Sequence, residues 1–408
     1  MFKIILFITS LFLLLILRFI LFYLYTPKVE PGESLEYSAT IFNLQEKYGS
    51  QTFISKYSNS FSYLPIKIIL PKSKTFFEAE IILLSGNITS KVINGVVNYE
   101  ISNPKIIKIT KPLFIFSVAQ MIQKKISDLF YLNLSQKDAG LLLGILLGTK
   151  ANFDKSFLND LSNTGVMHVI AASGMNVTIV AGFLFFLSVS SFKRSIAIYI
   201  TVAGLLFYVF ISGFQPSIIR ALIMISFSLF GQFLGRQYSP VYGLILAAFI
   251  MLFYDPSLVS SVSFQLSFAS TLGILLFNPL LPQNKFLGDF TTTFSAQLMS
   301  LPIIVTAFGS FGVLTLLVNI LVLWTVVPLM VLGGIGAILG LLIEPLAYPF
   351  LFLAHFLLWY FEQIVMFFGS LNFKLIINVN IFLLIGYYIT ILGIWFLLKR
   401  IKSEELLH

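Results

Sequence analysis

From about Gly165 to Lys399 the chain repeats one pattern, apolar stretches separated by short segments that hold most of the charges. Crossing the hydrocarbon core takes roughly 20 apolar residues in a helix, which satisfies its own backbone hydrogen bonds. The pattern predicts spans at 165-189, 195-213, 217-235, 241-254, 258-281, 291-310, 311-343, 349-372 and 379-398. The 311-343 stretch is long enough for one pass or for two short ones broken at Pro328 or Gly333-Gly334. Only 11% of the 408 residues are charged, against about 25% in soluble proteins. A soluble enzyme on a single anchor is therefore excluded.

Ile4 to Leu24 reads as a further transmembrane helix, interrupted by Arg18, which either snorkels or packs against another helix. The segment ends Tyr23-Leu24-Tyr25-Thr26-Pro27, without the small-x-small pattern of a cleaved signal peptide, so an uncleaved anchor over 1-26 is expected.

Residues 27-112 differ in kind. Ten Lys and seven Glu accompany short apolar runs such as Ile66 to Leu70 and Ala79 to Leu84. Gly86-Asn87 and Asn94-Gly95 have turn chemistry, and Asn103-Pro104 divides Val96 to Ile109 into two strands. About five strands in a small barrel with an OB-like fold are predicted. Segment 113-164 begins with an amphipathic interfacial helix, with Phe114, Val118, Met121, Ile122, Ile126, Leu129 and Phe130 on one side. Ala139 to Gly148 follows as an apolar stretch too short to span, either re-entrant or packed beneath its neighbours.

The expected architecture is a polytopic α-helical membrane protein with a small extracytoplasmic all-β (OB-like) domain inserted after the first transmembrane helix. Residues 165-399 form the polytopic domain and 400-408 a tail. Lys193-Arg194, Arg236 and Lys285 fall on alternate loops, which makes that side cytoplasmic by the positive-inside rule. If 311-343 is one traverse, the tail lands on the same side and the β-domain outside.

Chemistry is limited by what is missing. The chain has no Cys and three separated His, so thiolate sites and a His-rich metal centre are not expected. Lys and Arg outnumber acids 26 to 17, which favours anionic partners, either lipid headgroups or nucleic acid.

Against this background a few polar residues stand out. Arg220 lies early in an apolar helix after Gly213-Phe214-Gln215-Pro216-Ser217, where a cation needs a partner, water or an anionic substrate. Asp255-Pro256 closes one apolar run and opens the next, a pattern for helix capping. Ser263-Phe264-Gln265-Leu266-Ser267-Phe268 places an amide and two hydroxyls in an apolar helix, for interhelical bonds or a pore lining.

The string from Thr164 to Val177 puts His168, Ser173 and Asn176 in the membrane around the small trio Ala172-Ser173-Gly174, which permits close packing or a broken helix. His168 and Ser173 have the residue types of an intramembrane serine hydrolase. Five residues apart, they point about 140° away from each other on one helix and share a face only if the helix breaks. His355 has no Asp partner identifiable by spacing, and Glu344 and Glu362 are open to reading as caps, surface charges or proton-coupling groups.

Several of these blocks, in this order, resemble the ComEC family of bacterial natural competence: Leu141 to Gly148, Thr164-Gly165 with His168 to Met175, Pro216 with Arg220-Ala221 and Met224, Asp255-Pro256, Ser263 to Phe268, and Gln297 to Pro302. The resemblance covers roughly 139 to 345 and implies a membrane channel or permease component for single-stranded DNA uptake at the cytoplasmic membrane, without catalysis or cofactor. It implies His168, Ser173, Asn176, Arg220 and Gln265 along or beside the path, and Gly165, Gly174, Pro216, Asp255 and Pro256 as structural motif. A transporter of another anionic polymer or lipid-linked substrate is the alternative. Two features depart from the family pattern. Asn176 stands where members often have a second His, and the chain stops after its last span without a metallo-β-lactamase-like domain. It also lacks a phosphate-binding P-loop. The implied partners are single-stranded DNA, membrane lipids, a separate nuclease, and a separate ATP-driven motor or DNA receptor, with a homo-oligomer possible.

Overall fold

The computed structural model describes residues 2–41, 45–47, 50–58, 62–70, 80–93, 96–110, 114–149, 153–170, 173–236, 239–282, 288–312, 314–371, 373–376 and 380–405. Asn94-Gly95, Ala171-Ala172 and Lys285, all singled out in the sequence, lie outside them, as does the third histidine, His408. The chain divides into two units, Met1–Gln123 with Leu252–Pro256, and Lys124–Met251 with Ser257–His408.

In the first unit, helix α1 (Phe2–Leu24) precedes strands β1 (Ser34–Thr40), β2 (Gln45–Lys47), β3 (Ser50–Ser58), β4 (Tyr63–Ile69), β5 (Ile81–Ile93), β6 (Val96–Ser102) and β7 (Lys105–Thr110). They form one sheet in the order β1-β5-β6-β4-β3-β2, with β7 also on β5. The β4–β6 pairing is parallel and the others antiparallel. The sheet is an OB-like half-barrel, as the alternating runs predict. Ile66, Ile68 and Leu70 are buried while Lys67 between them is exposed, the period of two that a sheet with one core face requires.

Strand β5 joins the two parts of the sheet, pairing through Asn87 with β1 and from Ile88 with β6. This corrects the turn expected at Gly86-Asn87, since both residues lie inside β5. Gly86 continues the inward series Ile82, Leu84, Ile88, and a Cβ there would stand 2.5 Å from Ile101 Cγ2. The glycine is needed because Ile101 fills its place in the core. The break at Asn103-Pro104 is found as expected, with Asn103 at a φ of +49° between β6 and β7.

Helix α2 (Phe114–Asn133) buries Ala119, Ile126, Leu129 and Phe130, while Phe114 and Met121 are exposed. The second unit continues with α3 (Gln136–Leu147), α4 (Lys155–Thr164), α5 (Met167–Ile170), α6 (Gly174–Ser191), α7 (Arg194–Ser212), α8 (Pro216–Phe233) and α9 (Pro240–Tyr254). It ends with α10 (Val262–Phe277), α11 (Gly288–Phe308), β8 (Ser310–Gly312), α12 (Thr315–Leu342), α13 (Tyr348–Ser370), β9 (Lys374–Ile376) and α14 (Ile381–Glu405), with β8 pairing with β9.

Among the described residues, eight helical stretches are long and apolar enough to cross a membrane, the first being Met167–Ser191 and the last Phe382–Lys402. The protein is an integral membrane protein. Within the 311-343 stretch Thr315–Leu342 is one 28-residue helix that carries Pro328 inside it. The span expected at 241-254 is different. Helix α9 has 15 residues, about 22 Å at 1.5 Å per residue, short of a core of about 30 Å.

Helix α3 resolves the Ala139 to Gly148 stretch in favour of packing beneath neighbours. Every residue from Asp138 to Leu147 is buried, as a helix apolar on all sides requires. Gly333 of α12 lets Leu142 and Leu146 approach its backbone. Where α10 crosses α11, the backbone oxygen of Ser295 occupies the space a Cβ on Gly273 would take.

Candidate polar site of the transmembrane unit

The Thr164 to Val177 string forms a broken helix. Helix α4 stops at Gly165, whose φ of +72° suits glycine, and the Thr315 side chain occupies the place of its missing Cβ. His168 lies in the short α5, exposed, with Nδ1 3.0 Å from Gly165 O. Ser173 is extended (φ −103°, ψ 167°) and is the N-cap residue of α6. Its hydroxyl donates to Asn176 Oδ1 at 2.9 Å. His168 and Ser173 thus belong to different helices, and the serine proton is directed to an amide rather than an imidazole.

Asn176 is 1% exposed, and its Nδ2 donates to Ile145 O at 2.6 Å. Two more side chains reach the same end of α3, with Tyr208 Oη donating to Leu146 O at 2.6 Å and Gln215 Nε2 to Gly148 O at 2.9 Å. The last carbonyls of a helix have no partner within it. Here α6, α7 and the residue preceding α8 supply donors.

Arg220 enters from α8, which Pro216 opens at its first turn. The residue is 7% exposed, and Nη1 donates to Ser267 O of α10 at 2.5 Å. Its guanidinium carbon lies 5.9 Å from the centre of the Phe268 ring. On its other side is the first turn of α6, where a Cβ on Gly174 would stand 2.5 Å from Nη2. The structure therefore brings Arg220, Gly174 and the Ser263 to Phe268 block together. Gln265 is turned to the preceding turn, its Nε2 donating to Val259 O at 2.8 Å.

Among the described residues Arg220 makes no ion pair, and both its Nε and Ser267 Oγ are buried without a hydrogen-bond partner. A guanidinium out of water strongly favours an anion nearby. The N-terminus of α6 adds partial positive charge at the same place.

Asp255 is found in the first unit. Its Oδ2 accepts from Lys56 Nζ at 2.6 Å and its Oδ1 from Tyr63 Oη. A capping residue was expected from spacing. What the spacing did not show is that two β-domain side chains hold this carboxylate. Pro256 opens a single 3₁₀ turn, Pro256–Ser260.

The pair missed in the sequence is Asp138 with His355, Oδ2 to Nδ1 at 2.9 Å, joining residues 217 apart. The available signal was Ser135-x-x-Asp138 ahead of an apolar run, a helix-start pattern. Ser135 is indeed the N-cap of α3, accepting from the Asp138 amide. Among the described residues no group of three or more metal-ligating side chains is gathered.

The family model described as Competence protein matches residues 145–401, more than half of the chain. No curated protein and no solved structure matches it.

Proposed function

The chain belongs to the competence protein family, and on that premise we propose that it is a conduit through which single-stranded DNA crosses the bacterial cytoplasmic membrane, with no catalysis of its own. The family's general role is DNA uptake in transformation. The observation that carries the finer reading is the buried Arg220 guanidinium at the N-terminus of α6, beside the unpartnered Ser267 hydroxyl. A phosphate chain has one charge per nucleotide and cannot enter hydrocarbon without cationic and hydrogen-bonding groups along a wet route.

In this reading Arg220 contacts passing phosphates, Ser173, His168 and Gln265 line the route near it, and Asn176 holds the broken helix to α3. Gly165, Gly174 and Pro216 set the backbone that allows this, and Asp255-Pro256 anchors the first unit's short 252–256 segment. The β-domain, placed outside the membrane, receives the strand on an OB-like surface. Degradation of the other strand and ATP-driven pulling fall to separate partners.

The test is DNase-protected fluorescent DNA inside cells with the chain, without it, and with Arg220→Ala or Arg220→Lys at matched protein levels. Loss in the deletion and Arg220→Ala strains, with partial recovery in Arg220→Lys, supports the reading. Undiminished uptake without the chain overturns it and points to another anionic polymer or a lipid-linked substrate.

A further inference from the structure

The second unit holds another set of ionisable side chains, on helices other than those that carry Arg220 and Gly174. It begins at Ser135, whose hydroxyl donates to Asp138 Oδ2 at 2.9 Å while accepting from the Asp138 amide at 3.1 Å. Asp138 is 3% exposed, and the same Oδ2 is 2.9 Å from His355 Nδ1. Seven residues on, two turns along the same face of α13, Glu362 lies near enough to Asp138 for the two carboxyls to interact electrostatically. Its Oε1 is buried without a hydrogen-bond partner among the described residues.

This arrangement has a chemical consequence. Two neighbouring carboxyls away from water resist being ionised together, so one of them holds a proton. Asp138 already accepts from Ser135 and faces an imidazole, a group able to take a proton on one nitrogen and give one from the other. Beside His355 lies a hollow of about 350 Å³, lined also by Asn133, Leu134, Ser135, Leu351 and Phe352, from which water can reach the ring.

The surroundings contain few competing groups. Helix α12, packed on both α3 and α13, has no titratable side chain. Lys137, half-exposed, is 3.8 Å from Asp154. From α4, Asp160 packs on Gly369 at the far end of α13, and Lys155 is exposed. Helix α2 brings Lys124, Lys125 and Asp128, the turn before α13 brings Glu344, and α13 itself opens with Tyr348.

We propose that Asp138, His355 and Glu362 form a proton-binding cluster in the transmembrane unit, loaded from the hollow through His355. One proton is held by the two carboxyls at rest. A second, taken from water onto the imidazole, makes the His355–Asp138 contact an ion pair. It returns to water in the hollow when the pH rises, so uptake and release balance with only N–H and O–H bonds formed and broken. The far end of α3 is held by Asn176, Tyr208 and Gln215, so the cluster acts on the helix that braces the Ser173-Gly174 break. The proposal stands whatever cargo the chain moves.

The experiment is infrared difference spectroscopy on the full chain in phosphatidylethanolamine–phosphatidylglycerol vesicles, between pH about 5 and about 8, the range over which an imidazole titrates. Wild type is expected to show a carboxylic-acid C=O band that changes with pH. The band is lost in Glu362→Gln, and its midpoint moves in His355→Gln, both with unchanged helical circular dichroism. Asp138→Asn is the harsher variant, so Glu362→Gln, at a half-buried position, keeps the test readable. A wild-type spectrum with no titrating acid band, or a band untouched by Glu362→Gln and His355→Gln, overturns the proposal and leaves a structural ion pair. Neither result bears on the DNA reading, which the uptake assay tests separately.

Discussion

Gly174 and Arg220 meet so closely that the glycine is where it is because the guanidinium leaves no room for a Cβ, the Nη2 atom standing 2.5 Å from the place one would occupy. The arginine has little freedom to retreat, since Nη1 is bonded to Ser267 O and the group lies over Phe268. Small size at position 174 therefore follows from the cation on a helix about 46 residues later in the sequence.

Gly174→Ala is expected to displace the Arg220 head and reduce DNase-protected DNA uptake by about tenfold, equivalent to about 1.4 kcal/mol. Gly182→Ala, on the same helix with open space around it, leaves uptake at the wild-type level. Equal activity of the two variants would show that the Arg220 position is not limiting.

Asn176→Ala leaves the buried Ile145 carbonyl and the Ser173 hydroxyl without their partner. The expected loss is about 1–3 kcal/mol of stability, the cost of stranding a buried polar group. Asn176→Asp, which replaces the donor with an acceptor facing that carbonyl, is expected to be worse. Thermal unfolding of the detergent-solubilised chain measures both.

Gly273→Ala places a methyl against the backbone oxygen of Ser295, which cannot turn aside as a side chain does. Helices α10 and α11 must separate, at a cost of about 1–3 kcal/mol. Gly334→Ala, with nothing within 4 Å, serves as the neutral comparison in the same unfolding measurement.

In the first unit Lys56 is half-exposed and Asp255 is buried. Lys56→Ala is expected to cost about 0–1 kcal/mol, as for solvent-screened pairs. Asp255→Ala removes a buried carboxylate that accepts from both Lys56 and Tyr63 and is expected to cost more, about 1–3 kcal/mol. A double-mutant cycle on unfolding separates the pair from the remaining contacts of Asp255.

Burial pushes the Tyr37 phenol above its ordinary value, with Tyr57 adding to the rise and the neighbouring Ser55 side chain opposing it. The neutral form is thus favoured on folding. Its contribution is fully present below about pH 10, where the unfolded phenol titrates, and declines as pH rises from there toward the folded value. Tyr37→Phe is expected to lessen the loss of stability above about pH 10, read from unfolding midpoints across that range.

Much of the architecture was legible because it follows from local rules. Apolar length marks membrane helices, and alternation at Ile66, Ile68 and Leu70 marks a sheet with one buried face. A chain break was legible at Asn103-Pro104, where Asn103 takes a φ of +49° between two strands. It was misread at Gly86, because a glycine required by a neighbour's bulk has the same one-letter signature as one required by a turn.

The composition of the transmembrane segments determined by itself that this protein lives in lipid, and the isolated polar residues within them marked where chemistry or close packing had to occur, since lipid offers such groups no water. Tertiary structure alone decided which of them meet. Arg220 with Gly174 and Ser267, Asn176 with Ile145, and Asp138 with His355 are joined across 46, 47, 31 and 217 residues. Such pairings depend on helix rotation and crossing angle, set by ridges and grooves along whole helices. No local spacing in the sequence encodes them.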